Sequence, residues 1–137
     1  MNTLIANPKA KLLLGAALDV LHHESKDWLE AIAFWKEEIV FFDKLLYLQD
    51  PLKKEEHIYR DMLQQLEDIE VDIISQTEED IIAHEKSLAK LMRKEEGLAD
   101  ADYRDKHRQL KLRMATITND IKAFKLVVFN FVKKLKA

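Results

Sequence analysis

The chain has 137 residues, two glycines, two prolines, no cysteine and a formal net charge of −3. Its length suits one domain able to bury a core without disulfides or a structural metal. The missing cysteines exclude disulfide frameworks, thiolate metal sites and cysteine nucleophiles. Strands need frequent turn residues and long helices do not, so so few glycines and prolines point to an all-α fold of few, long elements.

Asn7 and Pro8 read as an N-cap followed by proline at the first helical position, opening a helix over 8–48. Lys9 and Lys11 ahead of the apolar residues 12–18 resemble the start of a secretory leader. Asp19 interrupts that run, however, and His22, His23 and Glu24 follow where a small-residue cleavage site would stand. No stretch approaches the ~20 apolar residues that span a bilayer, so a soluble, cytoplasmic protein is expected. Leu14, Leu18, Leu21, Ser25, Trp28, Ile32, Trp35, Ile39, Phe42 and Leu46 recur at steps of four and three, the seam of a left-handed coiled bundle. Ser25 is the polar member. Phe34, Phe41, Leu45 and Leu48 form a second apolar stripe, and Glu38 within it needs a partner, for which Arg60 stands at a suitable level.

Asp50 and Pro51 mark the next start, and a helix over 51–96 follows. Tyr59, Met62, Leu66, Ile69 and Ile73 keep the rhythm, and the seam continues through Thr77, Ile81, His84, Leu88 and Leu91. Three consecutive steps of four make a stutter, which relaxes the supercoil without breaking a rod of about 65 Å. A competing break near Ser75, Gln76 and Thr77, where Ser75 and Glu78 fit a capping box, would give a four-helix bundle instead. Length favours three helices, because an unbroken middle helix matches its neighbours as antiparallel up-down-up packing requires. Pairing about the Asp50 turn then sets Ser25 level with Gln76 and Thr77. This candidate polar layer, with His22 nearby, either fixes register or lines a small hydrated pocket.

Gly97 suits a left-handed helix stop, with Leu98 folding back on Met92, and Asp100 or Asp102 caps a third helix over 101–136. Its seam runs Tyr103, His107, Leu110, Met114, Ile117, Ile121, Phe124, Val128, Phe131 and Leu135. Residues 104–136 hold ten Lys and Arg against two acids, whereas residues 61–80 hold eight acids and no base. Such helices are expected to pair along their flanks, and no nucleic-acid partner is inferred.

Known chemistry finds little purchase. A di-metal carboxylate bundle needs Glu-x-x-His pairs, and none occurs. The expected turn places His107 near Leu91, two helical turns from His84, so these seam histidines do not meet. The pairs His57 with Asp61, His23 with Asp27 and Asp80 with His84 read as ordinary i,i+4 contacts. His22 and Ser25 could approach each other, yet no strained turn supplies an oxyanion site, and two isolated glycines build no phosphate loop. The expectation is a single-domain, non-enzymatic interaction or scaffold bundle without catalytic, metal or cofactor residues. Its partner is a second copy or another helical protein, and no membrane is involved. Phe34, Phe41, Leu45, Leu48, Leu126, Phe129 and Val132 supply more apolar surface than a three-helix core absorbs and form the candidate interface. The alternative is a metal- or small-ligand-binding bundle that uses the layer of Ser25, Gln76, Thr77 and His22.

Overall fold

The computed structural model describes residues 8–49, 56–93 and 100–136, with side chains from residue 18 to residue 135. Helix α1 spans Pro8–Tyr47, α2 Glu56–Asp68, α3 Gln76–Met92 and α4 Asp100–Lys136, and a π-helical segment, Ile69–Ser75, joins α2 to α3. The caps at Asn7 and Asp50, Pro51, and the Gly97–Leu98 stop lie outside the described residues. Among the described residues there are no strands, and no helix is long and apolar enough to cross a membrane.

The middle rod is continuous. Asp68, Ser75 and Gln76 all hold right-handed helical angles, so the chain passes from α2 through the π segment into α3 without a break. Ser75 forms no capping hydrogen bond, and its Oγ donates instead to the Glu70 carbonyl five residues back, 2.9 Å away. The four-helix alternative is thereby set aside. The stutter is resolved differently from the expected run of fours. Ile74, not Ile73, is fully buried, which makes the step from Ile69 a step of five, matching the wider π turn. The 3-4 rhythm then resumes at Thr77, Ile81, His84 and Leu88, all buried.

Burial confirms the other two seams where side chains are described. Ile32, Trp35, Ile39, Phe42 and Leu46 of α1 pack with Met62, Leu66, Ile74 and Ile81 of the middle rod. Leu110, Met114, Ile117, Ile121, Phe124, Val128 and Phe131 of α4 complete one core. Each such side chain contributes about 1.5–3 kcal/mol on leaving water.

Ion pairs read out the register. His22 Nδ1 meets Glu85 at 2.6 Å and Lys36 meets Glu78 at 2.6 Å, so α1 runs antiparallel to the middle rod. Lys111 meets Glu24 at 3.1 Å and Lys125 meets Glu38, so α4 runs parallel to α1. The His22–Glu85 contact stands about two helical turns from the register that would set Ser25 level with Gln76 and Thr77. Level is not encoded by any helical period, and α3 ends at Met92 rather than at 96.

Two expected pairings are corrected by the same geometry. Glu38 faces α4 and takes Lys125 as its partner, while Arg60 pairs with Glu56 on its own helix. Of the α4 bases, Arg113 reaches the acidic middle rod, at Asp80, whereas Lys111 and Lys125 reach α1.

Candidate functional site: a buried glutamate–histidine–histidine layer

Near the α1 N-terminal half, all three rods contribute polar side chains to one layer. His84 of α3 and His107 of α4 are each 3% exposed, and His84 Nε2 lies 2.9 Å from His107 Nδ1. The other nitrogen of His107, Nε2, lies 3.3 Å from a Glu24 carboxylate oxygen of α1. Aromatic faces clamp both rings. Tyr103 stacks on His84 at 4.3 Å with the planes 1° apart, and Trp28 stacks on His107 at 4.6 Å.

Hydrogen-bond logic fixes the protons along this chain. A carboxylate only accepts, so His107 Nε2 carries the hydrogen and donates to Glu24. That leaves His107 Nδ1 bare to accept, and His84 Nε2 donates to it. Burial raises the pKa of Glu24, but the hydrogen bonds from Lys111 and His107 outweigh it and hold the carboxyl below its usual range. Burial pushes His84 down to about 4, aided by the charges of His107 and Lys106. Burial also lowers His107, against the upward pull of Glu24. Tyr103 is pushed up to about 12, chiefly by burial and then by the Glu85 charge.

The layer holds more polar atoms than it satisfies. Ser25 Oγ, Glu85 Oε1, Tyr103 Oη and Arg104 Nη2 are buried without a protein partner. A cleft of about 190 Å³ adjoins His84 and Tyr103 and is also lined by Ser87 and Lys106. A second cleft, of about 270 Å³, runs past His22 and Glu85 between α1 and α3. Chemically the arrangement can hold a proton on a defined nitrogen and accept a small hydrogen-bonding guest. Ser25 Oγ has no base bonded to it, so it lacks the activation a nucleophile requires. Among the described residues no group of three His, Asp or Glu side chains is set to hold a metal ion.

The expected polar layer is therefore split. Ser25 and His22 belong to the histidine layer. Thr77 is buried elsewhere on the seam and returns its hydroxyl to the Ile73 carbonyl at 2.6 Å, while Gln76 is exposed and bonds Asp80. Of the i,i+4 pairs, His57 and Asp61 stand 3.3 Å apart at the surface, whereas Asp80 bonds Arg113 and Gln76 rather than His84. His84 and His107 do meet, against expectation. Both were visible as polar members of apolar seams, and Tyr103 stood on the same seam as His107; Glu85 gave no signal.

Elsewhere, the expected interface residues are distributed as a partly sunken stripe. Phe34, Phe41, Leu48, Leu126 and Phe129 are exposed, whereas Leu45 and Val132 are half-buried against the core. Phe42 bridges the two helices, its ring 5.6 Å from Phe41 and 5.5 Å from Phe129.

The chain matches no protein family, no curated protein and no solved structure.

Proposed function

We propose that the protein is a non-enzymatic interaction module that docks on another helical surface, in the first instance a second copy of itself, through the outer face of α1 and the adjoining face of α4. The observation that carries this is the exposure of large apolar side chains where the two parallel helices end: Phe41 is 56% exposed, Leu48 78% and Phe129 43%. Contiguous apolar surface of this kind is unusual on a soluble monomer and typically marks a binding surface, and two-fold self-association is the commonest way to cover it. Light scattering after size exclusion at micromolar concentration should return about twice the 16.1 kDa chain mass. Phe41→Glu or Phe129→Glu should shift it toward monomer. A folded, soluble wild-type monomer at that concentration would overturn the proposal.

The orphaned Ser25, Glu85 and Tyr103 atoms favour a second reading, in which the histidine layer takes up a small hydrogen-bonding ligand or a metal ion. Elemental analysis and native mass spectrometry of the purified protein test it. A stoichiometric bound mass that Tyr103→Phe abolishes would support it, and a bare chain would count against it.

A further inference from the structure

The α1 outer face lies between two surfaces of opposite charge at the same height. On one side, α1 and α2 enclose a groove of about 470 Å³ with Val40 and Leu63 among its apolar residues and Asp43, Glu67 and Glu70 among its charges, against one lysine, Lys44. On the other side, Lys122, Leu126, Phe129 and Lys133 recur at steps of four, three and four on one exposed face of α4. The contacts of Glu38 with Lys125 and of Phe42 with Phe129 level that α4 face with α1 residues 38–46, the stretch that also walls the groove. Among the described residues Lys122, Lys133, Glu67 and Glu70 form no ion pair within the chain.

We infer that two copies associate with their α1 helices parallel about a two-fold axis running along the α1 outer face, each seating its α4 lysine face against the acidic α1–α2 groove of the other. This rests on the proposed self-association and adds its geometry. A two-fold axis along α1 exchanges left and right flanks, so each basic face meets an acidic groove. An axis across α1 would keep each flank against its own copy, setting acid on acid and lysine on lysine, which is destabilising. The axial arrangement also stacks Phe41 and Leu48, both exposed, on their own counterparts.

The absence of cysteine permits clean spin labelling at single introduced sites. Ala33→Cys and Leu48→Cys lie 15 positions apart on the outer face, and in the parallel dimer both give short label-to-label distances. In an antiparallel dimer at least one pair must separate by about 22 Å or more along the helix, from the 1.5 Å rise per residue. Charge exchange supplies an independent arm. Lys122→Glu and Glu70→Lys should each weaken the dimer about tenfold, and the double variant should recover most of that affinity, because opposite signs again face each other. Long distances at either site, failure of the double variant to recover, or assemblies larger than two would overturn this geometry while leaving self-association standing. A wild-type monomer would overturn both.

Discussion

His84 carries two costs at once: a polar ring in the core, and a ring held neutral there. Its hydrogen bond to His107, with Glu24 and Lys111 behind, meets the first. The second appears as pH dependence. The folded pKa lies at about 4, below the ordinary 6.5, so the unfolded chain takes up a proton first as pH falls. The contribution is complete above about 6.5 and is lost progressively toward 4. Between pH 7 and pH 5 this amounts to about 2 kcal/mol for His84 alone. Urea unfolding at the two pH values should show that loss in the wild type. His84→Phe keeps an aromatic ring against Tyr103 and should flatten the difference by about that amount, whatever its effect on absolute stability. An unchanged difference would show that His84 titrates normally in the folded chain.

At the scale of the element, the sequence was legible wherever structure is local. The 3-4 rhythm identified the buried positions of α1 and α4 because an α-helix repeats its faces without reference to anything else. It failed where the answer depends on neighbours. The run Ile69, Ile73, Thr77, Ile81 is compatible with a relaxed α-helix, and only packing decides that Ile74 turns inward through a π turn. A π turn accommodates one residue more than the α register needs, so deleting exposed Val71 should return the segment to an α-helix and leave the flanking seams aligned. Its thermal midpoint should stay within a few degrees of the wild type. Deleting exposed Ala83 instead would rotate His84 and Leu88 off the seam by about 100° and should abolish cooperative unfolding. Equal damage from both deletions would mean that the segment stores no extra residue.

For the whole molecule, what stayed hidden was level. Which residues face inward follows from period, but no period encodes which inward residues meet across helices, and a shift of two turns separated the expected layer of Ser25, Gln76 and Thr77 from the observed one around His84 and His107. The histidine layer was thus present in the sequence as parts and absent as a site. Parallel packing of α1 and α4 has one consequence for the far end of the bundle. Two helix C-termini lie side by side there, each the negative pole of a macrodipole of roughly half a charge. Lys44 stands in the last turn of α1, and Lys133 and Lys134 stand in the last turn of α4. These cations offset the doubled pole and account for lysines beside so much apolar surface. Lys134→Gln should therefore cost about 0.3–1 kcal/mol in low salt, and the difference should fade in molar salt, where the Debye length shrinks to about 3 Å. A cost that persists unscreened would instead assign Lys134 to packing through its aliphatic stem.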